Sequence, residues 1–161
     1  KYTTFRENKN RYSYPGKMPV GDGGKTREWN SKELRSLLKP VIKWAQQNHL
    51  PSNRILVGEF GCDRRNSGAK EFLFDLMTLF NTMDWHWAFY SFREDEWPGM
   101  DYELGTAPVP AEYSETRKSG KMFDLPRTKN PLFDVFIKEF TASPTTPYPS
   151  PKPSVAPTTH P

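Results

Sequence analysis

Leu34, Leu37, Leu38, Val41, Ile42 and Ala45 recur at the i, i+3, i+4, i+7 interval and predict a helix beginning after Asn30. Asn30 with Glu33 three positions on makes a capping box at its start. Pro40 falls inside the pattern, so a kink or a break is expected there. Asn48 to Asn53, which includes Pro51, closes the helix and leads into the apolar run RILVGEFG, Arg54 to Gly61, read as a buried strand. CDRRNSG is a loop, and Ser67 is the expected N-cap of a second helix with Phe72, Leu73, Leu76, Met77 and Phe80 on one face. MDWHWAFYSF then carries the aromatic and apolar bias of a strand. Strand, helix, strand is a βαβ unit, and it predicts an α/β fold with a parallel sheet.

The flanks are less regular. Residues 1–29 keep no period and read as an irregular segment with turns at YPGKMP and GDGG. Residues 93–130 form a long, turn-rich excursion. A last helix starts with Asn130 as cap and Pro131 at its first position, and docks through Leu132, Phe133, Phe136, Ile137 and Phe140. After Phe140 the chain becomes TASPTTPYPSPKPSVAPTTHP, with no run able to form a core. The expected division is therefore a folded part over 1–140 and a Pro/Thr/Ser-rich linker or tail over 141–161, an extended and disordered spacer.

Composition sharpens the picture at one point. Aromatic residues make up 14% of the chain although mean hydropathy is −0.82, more rings than a small core uses, which places some on a surface or cleft. The net charge of +4 arises from interleaved acids and bases, and the short clusters DRR and SETRKSGK read as solvated loops. No nucleic-acid partner is expected. No apolar run reaches the ~20 residues of a membrane-spanning helix. Cys62 is the only cysteine, so no internal disulfide can form. The chain opens KYTTFREN without an initiator methionine, and a piece of a longer protein is expected.

Chemistry centres on VGEFG. A buried carboxylate costs several kcal/mol or so unless it is paired, so Glu59 is either bonded to an arginine such as Arg64 or Arg93, or faces a cavity that uses its charge. In a parallel α/β sheet ligands gather at the carboxyl ends of strands, where Glu59 falls. One face of the aromatic strand carries Trp85, Trp87, Phe89 and Ser91, and the other His86, Ala88, Tyr90 and Phe92. Trp97 and Tyr102 continue the supply of rings at the same sheet end, and flat rings beside a carboxylate suit a sugar. His49, His86 and His160 lack metal-ligand spacing. Cys62 with His86 would need a third, orienting group to act as a nucleophile pair, and Cys62 reads as a packing residue. GDGG lacks the strand that precedes a phosphate-cradling loop.

ILVGEFGCDRR, DWHWAFYSFRED and WPGMDYELG together resemble the carboxyl-terminal part of glycoside hydrolase family 5, the cellulase-type (β/α)8 barrels. YSYPG and ELRSLLKPVIKWAQQN fit the stretch before the seventh strand. The resemblance implies a partial (β/α)8 TIM barrel, with the units around strands 7 and 8 only. Glu59 would then end strand 7 as the catalytic nucleophile. WHWAFYSF would be strand 8, with Tyr90 at the position where the family usually stacks a Trp on the sugar, Trp87 as the alternative, and Trp97 also binding substrate. The family's acid/base glutamate has no counterpart in this chain, nor do its early-strand Arg and its His-Tyr pair.

The same resemblance implies a retaining mechanism without metal or cofactor. Its substrate would be a β-linked plant polysaccharide, cellulose or another β-1,4-glucan first, with mannan or xyloglucan as further options. The tail and the family together imply an extracellular parent enzyme with a carbohydrate-binding module beyond the tail. The chain alone is expected to be inactive. Two other readings stay open: a carbohydrate-binding remnant without hydrolytic role, and a structural protein in which Glu59 is paired with an arginine.

Overall fold

The computed structural model describes residues 12–20, 25–93, 97–110, 113 and 125–141. The first two strands, β1 (Gly16–Pro19) and β2 (Thr26–Trp29), form an antiparallel ribbon with Gly16 opposite Trp29. Val20 N–H donates to Lys25 O at 2.8 Å and closes it. This corrects the reading of 1–29 as irregular: four-residue strands rich in Lys, Arg, Glu and Pro have too little apolar alternation to be seen. The expected GDGG turn, at residues 21–24, lies outside the described residues.

Helix α1 (Ser31–Gln47) starts where the sequence places it, with Asn30 Oδ1 accepting from Glu33 N–H at 3.1 Å. Glu33 does not complete a reciprocal box; its carboxylate pairs with Arg27 at 2.8 Å. The helix runs through Pro40 unbroken. Its apolar positions divide between two sides. Leu34 and Ala45 are buried and Leu38 and Ile42 pack on the core, whereas Leu37, Val41 and Trp44 are exposed.

A single-turn 3₁₀ segment, Ser52–Arg54, precedes β3 (Leu56–Phe60), which pairs in parallel with β4 (His86–Phe89). The crossover is α2 (Ala69–Thr82), so the βαβ unit is present. Its apolar face is the expected one: Leu73, Met77 and Phe80 are buried, with Phe72 and Leu76 partly so. The cap differs. Gly68, not Ser67, occupies the N-cap position at φ 80°, and a Cβ there would lie 1.8 Å from Tyr14 O, so only glycine fits. The Ser67 hydroxyl bonds that of Ser13 at 2.9 Å instead.

Two 3₁₀ turns, Pro98–Met100 and Tyr102–Leu104, order the excursion after β4. Asn130 Oδ1 accepts from Leu132 N–H and Phe133 N–H at 3.0 and 2.9 Å, as a cap should. Residues 131–133 make a turn and α3 (Asp134–Thr141) follows. Asn130 Nδ2 also donates to the carbonyls of Tyr102 and Glu103, tying the helix start to the excursion. The expected spacer lies outside the described residues from 142 onward.

The core sits between one face of the β3–β4 pair and helices α2 and α3, around Phe60, Leu73, Met77, Phe80, Trp85 and Phe136. The opposite sheet face is bare: Leu56, Gly58, Glu59, His86 and Ala88 are all exposed. RILVGEFG is thus covered on one side only, which corrects the expectation of a buried strand. Among the described residues there are two two-stranded sheets and no closed barrel.

Candidate functional site

Strand β3 positions Glu59 through an irregularity in its register. Val57 is opposite Trp87 and Phe60 opposite Phe89, so β3 advances three residues while β4 advances two. The extra residue is a β-bulge. A regular strand would alternate Val57 in, Gly58 out, Glu59 in, Phe60 out. The bulge lets Gly58 and Glu59 both face outward while Phe60 returns to the core, 9% exposed and edge-on to Phe80 at 5.3 Å. The question of a buried carboxylate dissolves: Glu59 is exposed and, among the described residues, makes no side-chain hydrogen bond or ion pair.

The two arginines proposed as partners are engaged elsewhere. Arg64 is fully buried and donates to three carbonyl oxygens, Pro98 from Nε and Gly105 and Ala107 from Nη1, each at 2.6 Å. Burial holds its guanidinium below the ordinary arginine range. Arg93 Nε pairs with Glu103 Oε2 at 2.7 Å. Glu59 as an arginine-bonded structural carboxylate is thereby corrected.

Tyr90 follows the last rung of the parallel ladder, its N–H donating to Phe60 O at 2.7 Å. The peptide bond from Tyr90 to Ser91 is cis. Glu59 and Tyr90 therefore flank the Phe60–Phe89 rung at the carboxyl ends of both strands, as the sequence placed them. Trp87 belongs to the other face. Its indole stacks on Phe140 at 5.6 Å, meets Phe60 edge-on at 5.7 Å, and donates Nε1–H to Asn81 at 2.8 Å. That ring is engaged by the core and is not beside Glu59. Trp97 is 50% exposed at the mouth of the loop that follows β4.

Tyr102, read as another surface ring, is fully buried. Its hydroxyl accepts from Cys62 N–H and donates at the fork between Cys62 O and Tyr90 O, all at 3.0 Å. Burial raises its pKa, so the phenol stays a donor. Gly61 makes room: a Cβ there would lie 2.4 Å from this hydroxyl and 2.5 Å from Tyr90 O. Asp101, beside it and 2% exposed, pairs with Arg127 at 2.8 Å.

Cys62 and His86 are at opposite ends of the sheet, since His86 pairs with Leu56 and Cys62 follows Phe60. Burial, with Asp63 adding to it, pushes the Cys62 thiol up to about 12, away from nucleophile chemistry. No group of three or more metal-ligating side chains occurs among the described residues. No helix there is long and apolar enough to cross a membrane.

No family model and no curated protein matches the chain.

The geometry stands by itself: a carboxylate without a partner among the described residues, and Tyr90, at the carboxyl end of a parallel strand pair, with a buried scaffold beneath them. Arg64, Tyr102 and Asp101 belong to that scaffold; in sequence Arg64 was read as a partner for Glu59 and Tyr102 as a surface ring, and Asp101 was not singled out. Arg64 looked like part of a solvated DRR loop because its partners are main-chain carbonyls more than thirty residues away, which leave no side-chain signature.

Proposed function

We propose that this chain is the carboxyl-terminal portion of a retaining glycoside hydrolase of the family 5 type, with Glu59 as its nucleophile. One observation carries the reading: the β3 bulge turns a carboxylate, with no partner among the described residues, onto the bare face of a parallel strand pair, at the strand ends and next to Tyr90. Ligand sites of parallel α/β barrels form at that end. The bare face, and outer edges of β3 and β4 that no described strand pairs with, fit strands 7 and 8 of a barrel whose remaining strands come from elsewhere.

In this reading the Glu59 carboxylate attacks the anomeric carbon of a β-linked sugar, the C–O bond to the leaving group breaks, and water later releases the glycosyl-enzyme. A second carboxylic acid about 5–5.5 Å away protonates the leaving oxygen in such enzymes. No described carboxylate is assigned that role in this reading. Glu103 is occupied by Arg93, and Glu96 lies outside the described residues. General acid catalysis is typically worth about 10²–10⁴-fold, so the chain alone does not turn over glycans. Tyr90 stacks on the bound sugar, Trp97 borders it, and Trp87 is a packing residue. A β-1,4-glucan is the first substrate class, mannan or xyloglucan the next, and the parent protein is extracellular.

The deciding experiment uses the longer parent protein and a 2-fluoro glycoside, followed by peptide mapping. Label on Glu59, and loss of turnover in Glu59→Gln, support the assignment. Label on another carboxylate, or full activity of Glu59→Gln, sinks it. Retention on polysaccharide without turnover by the parent favours a binding remnant instead.

A further inference from the structure

We infer that Tyr102 is the positioning residue of this site: its hydroxyl, bonded at once to the end of β3 and the end of β4, fixes the separation between the Glu59 carboxylate and the Tyr90 ring. The inference rests on the reading of Glu59 as nucleophile and adds a residue to it that touches no substrate.

Strands β3 and β4 share few rungs, and the bulge interrupts their ladder next to Glu59. The paired register ends at Phe60 and Phe89, and beyond it a side chain links the two strands. Cys62 N–H finds its acceptor in the Tyr102 hydroxyl, and that same hydroxyl donates at the fork of Cys62 O and Tyr90 O. Cys62 lies three residues beyond Glu59, and the Tyr90 carbonyl belongs to the stacking residue itself. A change in the strut therefore moves both functional groups.

The strut is itself held rigid. The Tyr102 ring packs against Phe136 and Phe89 at centroid distances of 5.1 and 5.9 Å. Its main chain is anchored on either side: Asp101 pairs with Arg127, Asn130 Nδ2 donates to Tyr102 O at 3.3 Å, and Gly105 O receives Arg64 Nη1. A preorganised support of this kind is what a reacting pair needs, because a misplacement of 1 Å can cost about 10²-fold in rate.

The test uses the full 161-residue chain with ¹³C in its glutamate carboxyls and fluorine on its tyrosine rings. Tyr102→Phe keeps the ring and removes only the hydroxyl. It is expected to shift the Glu59 carboxyl and Tyr90 ring resonances. Tyr14→Phe is the control for a lost buried phenol: it removes a 2.5 Å bond to Asp75 in a separate core cluster, to which neither Phe60 nor Tyr102 belongs, and should leave both signals in place. Gly61→Ala approaches the same junction from β3 and should shift the same two signals, which covers the case of a Tyr102→Phe variant that fails to fold. Unmoved signals in the folded variants, or equal movement in Tyr14→Phe, overturn the inference.

In the parent protein, Tyr102→Phe should lower the rate of labelling by the 2-fluoro glycoside by up to about 10²-fold with the half-saturating concentration unchanged. An unchanged rate overturns the inference while label on Glu59 upholds the proposed function. Label elsewhere in the wild type overturns the function, and with it the bearing of Tyr102 on catalysis, whatever the resonances do.

Discussion

Arg64 Nη1 donates to the carbonyl oxygen of Gly105 at 2.6 Å, across 41 residues of chain. The same guanidinium bonds Pro98 O and Ala107 O, so one buried cation gathers the loop after β4 beneath the strand ends. Hydrogen bonds to charged groups contribute about 1.5–3 kcal/mol each, and removing the donor leaves the buried Gly105 carbonyl and the part-buried Pro98 and Ala107 bonds without it. Arg64→Ala should destabilise the chain by on the order of 3–5 kcal/mol, seen as a fall in the urea midpoint. Arg64→Lys should not restore it, because a single ammonium cannot span a fork of three carbonyls.

Glu59→Gln should leave stability within about 0.5 kcal/mol of wild type, since an exposed side chain without a described partner loses nothing on neutralisation. Urea unfolding of the 161-residue chain measures it. A loss above about 1.5 kcal/mol would mean that the carboxylate has a structural partner after all.

Cys62 should react slowly. With its pKa raised by burial to about 12, its thiolate fraction at pH 8 is on the order of 10³-fold below that of a free thiol titrating near 8.5. Alkylation by iodoacetamide at pH 8 should be slowed comparably in the native chain and restored in urea. The sign of the linked stability follows. The folded state keeps the proton longer than the unfolded chain, so this contribution is intact below about pH 9 and is lost as pH rises toward about 12.

Asp63 works in the other direction. Burial pushes its carboxyl up, but hydrogen bonds from Arg65 and the nearby charges of Arg65 and Arg64 hold it below the usual aspartate range. Its contribution is present above the unfolded aspartate pKa and fades as pH falls through the depressed folded value. Asp63→Asn should flatten the acid limb of a stability–pH curve without changing its alkaline limb.

Trp87→Ala should cost about 2 kcal/mol or more, below the ~3–5 of a fully buried Trp because the ring is part-exposed. Trp87→Phe keeps the stack on Phe140 and loses the bond to Asn81, for about 1 kcal/mol. Thermal melts separate the two.

Periodicity made the helices and the parallel strand pair readable. The positions on α2 that alternate with a period near 3.6 are the buried ones, and the two faces of MDWHWAFYSF divide as a period of 2 requires except at Tyr90: Trp85, Trp87, Phe89 and Ser91 are buried or part-buried, His86, Ala88 and Phe92 exposed, and Tyr90, expected with the latter, is part-buried. Asn130 as a cap was readable because its chemistry is local. What escaped was non-local. The β1–β2 ribbon carries no apolar stripe. Glycine at 68 outcompetes the better capping side chain of Ser67 because Tyr14, more than fifty residues earlier, leaves no space for a Cβ. The bulge at Gly58 and Glu59 has no signature within its own five residues beyond the glycine, since it exists to reconcile Val57 and Phe60 with Trp87 and Phe89. Of the site, the placement of Glu59 and Tyr90 was legible, while its supports, Arg64 and Tyr102, bond main-chain groups that a one-letter pattern does not encode.

Asn130 has a bearing on the lifetime of the molecule as well as on its fold. One side-chain amide caps the last helix and holds the carbonyls of Tyr102 and Glu103, so its chemical ageing would set a new carboxylate against main-chain oxygens and unfasten the excursion from α3. The usual route of asparagine ageing closes a ring onto the nitrogen of the following peptide bond and needs its hydrogen. Pro131 has none. The proline that follows the cap, in the turn before α3, thus shields it from cyclisation, and the fastening between the carboxyl-terminal helix and the excursion is closed to this route of ageing.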